Sequence, residues 1–168
     1  MSTKDYSSKQ ETAIAKFLGW SVVSGSGSRA CCPGDITSFD WLGECKTHLS
    51  PNTKITFYET VWHKICDEAA SKFKYPVLFV DDGSQSIDHT WCVYPINAVS
   101  SADLIVRPYT RKFQRNISFY HSSLLQESQQ IKLCEPTDSA GVVFATTFGG
   151  HRVGIATLRT FAAVFGGE

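Results

Sequence analysis

The sequence predicts an α/β fold in which helices flank a mixed central sheet. Segments with helical apolar periodicity alternate with short apolar segments, and Gly and Pro residues separate them. A chain of 168 residues, 42% apolar and 19% charged, suits one domain with its own core. No apolar run approaches the roughly 18 residues of a membrane span. The polar first ten residues lack a signal-peptide core, so a cytoplasmic protein is expected.

The first half of the chain carries the clearest local patterns. Apolar residues such as Phe57, Val61 and Ile65 recur every four residues and predict an amphipathic helix. The turn at Pro33-Gly34 precedes two short segments that predict a hairpin. In order, the predicted elements are a flexible tail (1–8), a helix (9–18), a strand (20–23), a Ser/Gly turn (24–28), a hairpin (35–39 and 41–46), a loop (48–56), a helix (57–73) and two strands (77–80 and 90–94).

The second half carries weaker patterns. A terminal helix over residues 153–165 is predicted because Ile155, Leu158 and Ala162 would share one side. Residues 9–96 are interpreted as the core, and residues 97–168 as an unassigned C-terminal elaboration that packs on it within the same domain. The predicted strands of this extension are 104–106, 117–120 and 142–144.

The charge distribution bears on nucleic-acid binding. The formal net charge is zero, whereas a nonspecific nucleic-acid binder usually carries excess positive charge. Residues 1–106 hold nine Lys/Arg against twelve Asp/Glu, and residues 107–168 hold seven against four. The basic excess is concentrated in one strip that is either a phosphate-binding surface or ordinary solvated surface. Its members are Arg107, Arg111, Lys112 and Arg115.

The predicted hairpin brings a chemically suitable set of side chains together. Asp35 begins one strand, and period-two alternation places Glu44 and Lys46 on one face of the other. Magnesium prefers oxygen ligands, usually carboxylates and water, and the backbone carbonyl of Cys45 offers one more oxygen. A lysine beside such a metal can position or activate the attacking water. The spacing therefore predicts a site for Mg²⁺ or Mn²⁺ with catalytic residues Asp35, Glu44 and Lys46.

The same residues resemble a known signature. Pro33-Gly34-Asp35-Ile36 followed by Gly43-Glu44-Cys45-Lys46 resembles the motif of the PD-(D/E)xK nucleases. The flanking pattern is a leading helix with Glu11, a strand and a Ser/Gly turn before Asp35, and a long helix and an apolar strand after Lys46. This pattern is similar to the archaeal-type Holliday junction resolvases over about residues 9–80. The resemblance implies a restriction-endonuclease-like core.

The resemblance also implies roles for further residues. Glu11 occupies the place of a glutamate that serves the family as an additional metal ligand and catalytic residue. Either Ser26 or Ser28 would contact DNA near the scissile phosphate, and Arg29 would add a DNA contact. Family resolvases act as homodimers that cut two strands symmetrically, so a homodimer bound to a four-way DNA junction is expected.

The expected function is therefore metal-dependent hydrolysis of phosphodiester bonds in DNA, in the manner of a Holliday junction resolvase. Two alternative hypotheses keep part of this interpretation. The chain could be another restriction-like, repair or phage nuclease with a different DNA substrate. It could also be a noncatalytic nucleic-acid-binding module built on a nuclease-like fold.

Overall fold

The computed structural model describes residues 3–25, 32–98, 103–135 and 138–166. These residues form an α/β structure with four helices and a mixed central sheet, which confirms the predicted α/β class and the mixed sheet. In chain order the elements are α1 (Thr3–Leu18), β1 (Ser21–Val22), β2 (Ile36–Thr37), β3 (Trp41–Lys46), β4 (Ile55–Phe57), α2 (Glu59–Ser71), β5 (Tyr75–Val80), β6 (Trp91–Pro95), β7 (Leu104–Pro108), β8 (Ile117–Phe119), α3 (His121–Cys134), β9 (Gly141–Phe148), β10 (His151–Thr157) and α4 (Leu158–Phe165).

The central sheet has eight strands in the order β1-β2-β3-β5-β6-β10-β9-β7. Strands β1, β2 and β3 form an antiparallel meander, and the predicted hairpin is confirmed by the pairing of Ile36 with Gly43 and of Thr37 with Leu42. After α2, strand β5 lies parallel to β3. Strands β4 and β8 form a separate antiparallel pair, so the predicted loop 48–56 ends in a short strand.

The C-terminal strands continue the same sheet. Strand β10 pairs with β6 on one side and with β9 on the other, and β7 lies parallel to β9 at the edge. Residues from both halves of the chain therefore bury their apolar side chains against a common sheet.

Two apolar layers cover the faces of the sheet. On one face, α2 buries Trp62, Ile65 and Ala69, which are spaced three and four residues apart along the helix. On the other face, α1 and α4 pack with Ile14, Leu18 and other residues against the strands. Because α1 and α2 lie on opposite faces, they can reach the end of β3 from both sides.

The structure corrects two predictions about the chain termini. The first helix begins at Thr3, so residues 3–8 are helical and not a tail. Tertiary contacts hold these turns, since the Tyr6 hydroxyl donates to the Gly83 carbonyl and the Gln85 amide donates to the Tyr6 carbonyl. The predicted terminal helix is wrong over its first part, because residues up to Thr157 form strand β10 and α4 begins at Leu158.

Helix α3 was not predicted from the sequence. Its apolar face is narrow, and Leu124 is the one buried residue of this helix. Among the helices that the structure describes, none combines the length and the apolar character needed to cross a membrane.

Candidate active site

The site lies beside the start of β2, beyond which no strand that the structure describes pairs with this edge of β3. The last backbone contact between these strands is the Asp35 N–H, which donates to the Gly43 carbonyl at 2.8 Å. Two residues further along β3, the Cys45 N–H donates to the Asp35 carboxylate oxygen Oδ2 at 2.8 Å. The N–H and C=O of one strand residue point to the same side, so the Cys45 carbonyl also faces Asp35.

Glu44 and Lys46 project from β3 toward α2. Leu42, two residues before Glu44, packs in the apolar layer of α2, whereas Cys45 packs in the opposite layer. The Glu44 carboxylate is buried with only 3% exposure, and the Lys46 ammonium lies 2.6 Å from its oxygen Oε1. The shared face that alternation predicts therefore produces a direct ion pair.

Helix α2 adds two charged residues, Lys64 and Glu68, that were not predicted from the sequence. The Lys64 ammonium lies 3.2 Å and 3.3 Å from the two oxygens of Glu44. Glu68, one turn further, lies 3.6 Å from Lys64 and accepts a hydrogen bond from the Gly34 N–H at 3.0 Å. The only signal in the sequence is their spacing of four residues on the polar side of the helix, which is common on exposed helices.

Helix α1 is tied to the end of β3 by a buried glutamine. Gln10 is 2% exposed, and its amide donates to the Lys46 carbonyl at 2.9 Å and to the Asp81 carboxylate at 3.1 Å. Asp81 in turn accepts hydrogen bonds from the Thr47 hydroxyl and the Gly83 N–H. This network places the next residue, Glu11, beside the carboxylates of the hairpin.

The pKa values of the site show that its charges interact. Burial, and then the charges of Asp35 and Glu44, raise the pKa of Glu11, although Lys46 partly opposes the shift. Burial and the charge of Glu44 raise the pKa of Asp35, against the opposing hydrogen bond from Cys45. Partial burial alone would lower the pKa of Lys46, but its hydrogen bond to Glu44 and the nearby negative charges raise it overall.

These residues suit a hard divalent cation chemically. In the described ranges, no three His, Cys, Asp or Glu side chains stand together as a ready-made ligand set for a metal ion. Glu44 is paired with lysines, while Glu11 and Asp35 repel it and each other, and a cation would relieve this repulsion. Lys46 and Lys64 have side chains about half exposed, so both have room to move away from Glu44.

The predicted DNA-contacting residues are partly neutralised by their neighbours. Arg107 forms an ion pair with Glu135, Arg111 lies 2.7 Å from Glu127, and Arg115 lies 3.6 Å from Glu59. Lys112, the fourth member of the strip, is exposed. The other predicted DNA contacts, Ser26, Ser28 and Arg29, lie outside the described residues.

Comparison of the chain with protein-family models, with curated proteins and with solved structures finds no match. The functional assignment therefore depends on the carboxylates and lysines at the edge of β3.

Proposed function

We propose that this protein is a metal-dependent DNA endonuclease of the PD-(D/E)xK type, with a restriction-endonuclease-like core. One observation carries the proposal. Carboxylates from α1, β3 and the residue before β2 interact at the edge of β3 beside the start of β2, and a lysine on β3 adjoins them. Metal-dependent phosphodiester hydrolysis needs this combination of oxygen ligands and a nearby cation.

The metal, Mg²⁺ or Mn²⁺, would be held by the carboxylates of Glu11, Asp35 and Glu44 and by the Cys45 carbonyl. When bound, such an ion lowers the pKa of a water molecule and stabilises charge on the phosphate. The raised pKa of Lys46 keeps its ammonium protonated at neutral pH. Lys46, whose ammonium lies 2.6 Å from Glu44, would position or activate this water and would offset negative charge in the transition state.

Lys64 has a role in the site that was not predicted from the sequence. Its ammonium contacts both oxygens of Glu44, so it holds that carboxylate in place when no other cation is present. The order of elements also supports the proposal. A leading helix, a three-stranded meander, the short strand β4, a helix and a parallel strand follow each other over the segment that resembles the resolvases.

The substrate is proposed to be branched DNA, cut by a homodimer at a four-way junction. The test is cleavage of a labelled junction and of a duplex with matched sequence, in Mg²⁺ and separately in Mn²⁺. Paired symmetric cuts in the junction alone would support a resolvase. Cuts in both substrates would support a restriction-like, repair or phage nuclease.

The assignment of the site is tested with single variants. Asp35→Asn and Lys46→Ala are expected to abolish cleavage. Asp40→Asn is the matched control, because Asp40 is an exposed carboxylate on the same hairpin at the opposite end of β3. Parental cleavage rates in the Asp35 or Lys46 variant would refute the proposed mechanism.

A noncatalytic nucleic-acid-binding module is the second candidate. The specific observation in its favour is that both oxygens of Glu44 already contact lysine. Following the melting temperature during a Mg²⁺ titration separates the two, since an ion that binds the native state stabilises it by about 2.7 kcal/mol at 100 times its Kd. A shift that Asp35→Asn removes supports the nuclease. No shift and no cleavage in either metal supports the binding module.

A further inference from the structure

A second polar cluster lies in a small cleft at the C-terminal ends of β5 and β8. The cleft has a volume of about 190 Å³, below the roughly 300–1,000 Å³ typical of sites for drug-sized ligands. It therefore suits one small polar group better than a whole cofactor. The lining residues are Asn52, Thr53, Asp82, His89, Tyr120, His121 and Ser122.

The first imidazole of the cleft is oriented by a buried carboxylate. The Nδ1 atom of His89 lies 2.8 Å from the Asp82 oxygen Oδ2, and Asp82 is 3% exposed. Burial would raise the pKa of Asp82, but hydrogen bonds from Ser84 and His89 lower it overall, so it is ionised at neutral pH. An ionised carboxylate only accepts hydrogen bonds, so His89 must carry a proton on Nδ1.

The second imidazole is oriented by an indole. The Trp91 Nε1–H donates to the Nδ1 atom of His121 at 3.0 Å, so Nδ1 carries no proton and the Nε2 atom does. Burial, followed by the charge of His89, lowers the pKa of His121 and favours this neutral form. The two rings stack with centroids 4.1 Å apart. Within the described part of the chain, neither Nε2 atom has a hydrogen-bond partner.

The tautomer of His121 and the charges around the cleft favour one class of ligand. His121 presents an Nε2–H donor, and a metal ion would need a lone pair at that atom, so His121 in this form does not suit a metal. An anion bound at the Nε2 atom of His89 would favour the doubly protonated ring, whose Nδ1 atom lies 2.8 Å from Asp82, and would then meet a second N–H donor. The Lys54 ammonium, 5.1 Å from the centre of the Tyr120 ring, adds a cation at the rim. Neighbouring hydrogen-bond donors and a cation favour an anionic oxygen ligand such as phosphate.

The cleft also lies beside the proposed nuclease site. Asp82 follows Leu78 and Val80 at intervals of two, and both of these residues pack in the same layer as α2. Leu78 is the partner of Glu44 across the parallel strands, and Asp82 is four residues further along, about 13 Å at roughly 3.3 Å per residue. A DNA strand carries one phosphate per about 3.4 Å of duplex axis, so the separation corresponds to a few nucleotides.

We propose that the cleft between His89 and His121 binds a phosphate of the nucleic-acid strand, a few nucleotides from the phosphate that is cut. The phosphate chemistry follows from the Nε2–H donor of His121 and from the Lys54 ammonium at the rim of the cleft. The identification of the ligand as a nucleic-acid strand rests on the proposed nuclease function.

The first test uses the unaltered protein without divalent metal, so that no cleavage occurs. The imidazole C2–H resonances of its histidines are followed by NMR while inorganic phosphate, thymidine 5′-monophosphate or a twelve-nucleotide single strand is added. His63 and His151 are matched internal controls, because their rings form another close pair, with centroids 6.3 Å apart, outside the cleft. The resonances of His89 and His121 are expected to shift saturably, and at the lowest concentration with the oligonucleotide.

The outcomes separate the possible explanations. Shifts at His89 and His121 that are no tighter with the oligonucleotide than with the mononucleotide would assign the cleft to a free phosphate compound and overturn a strand subsite. Absence of shifts, or equal shifts at the control histidines, would overturn phosphate binding altogether. Saturable shifts from the oligonucleotide in a protein that never cleaves DNA would keep the cleft and remove the nuclease proposal.

A variant supplies the second test. His121→Asn keeps an acceptor for the Trp91 indole and removes the Nε2–H donor from the cleft. One hydrogen bond to a charged group corresponds to about tenfold or more in affinity. We expect KM for DNA to rise by about that factor while kcat is unchanged, and His63→Asn to leave both unchanged. An unchanged KM in the His121 variant would refute the subsite.

Discussion

The buried Glu44 carboxylate contacts two lysines, and replacing them one at a time and then together measures what each contributes to stability. The variants are Lys46→Met, Lys64→Met and the double variant, which keep the length of the side chain and remove the charge. Both lysine side chains are about half exposed, 47% and 54%, so solvent weakens each single ion pair. Each single variant is therefore expected to lose no more than about 1 kcal/mol of unfolding free energy.

The double variant is expected to behave differently. Glu44, with a side chain only 4% exposed, would then have no cation in contact, and breaking a buried pair in this way costs about 3–5 kcal/mol. The loss in the double variant should exceed the sum of the single losses by at least about 1 kcal/mol, which is within the range of coupling energies in shared networks. Urea unfolding at pH 7, without divalent metal, measures all three.

Two further variants complete this experiment. Glu44→Gln in the double-variant background removes the uncompensated charge, so most of the lost stability should return. Lys72→Met, at the exposed end of the same helix, controls for the loss of a lysine as such. Strictly additive losses, or no recovery with Glu44→Gln, would refute the view that the two lysines share one buried carboxylate.

Asp35, Gly34 and the basic strip can each be tested with single variants. Asp35→Asn should lower cleavage at least ~100-fold. The folded state raises the pKa of Asp35 above 3.8, so the stability that its protonated form contributes is present at low pH and is lost as the pH rises through the folded-state pKa. Between pH 3 and pH 8, the melting temperature should therefore fall less in this variant than in the parent protein. Gly34→Ala should cost about 1–2 kcal/mol in urea unfolding, because φ is +70° and the new Cβ would lie 2.8 Å from a buried leucine. Lys112→Ala should weaken DNA binding by fluorescence anisotropy and reduce the salt slope by about one, whereas Arg107→Ala, whose charge is paired with Glu135, should change the slope less.

The end of the chain shows where sequence patterns mislead. Ile155, Leu158 and Ala162 have helical spacing, but the first belongs to strand β10 and the others to α4. Just before these residues, a two-residue turn at Gly149 and Gly150, with φ of +54° and +79°, joins β9 to β10 as a hairpin. A Gly-Gly pair between apolar segments is a local hairpin signal. The helical spacing across Thr157 is therefore accidental, and pairing of β10 with strands on both sides decides the structure.

The α/β class, the hairpin and the shared face of Glu44 and Lys46 could be predicted from the sequence, because these features depend on apolar spacing and turn residues that act within a few positions. Only the tertiary structure brought Gln10, Lys64 and Glu68 to this site, and Asp82, His89 and His121 to one cleft. These residues are far apart in the chain and have ordinary local surroundings. Their meeting depends on the parallel pairing of β3 with β5 and on the packing of helices on both faces of the sheet, which no local pattern encodes.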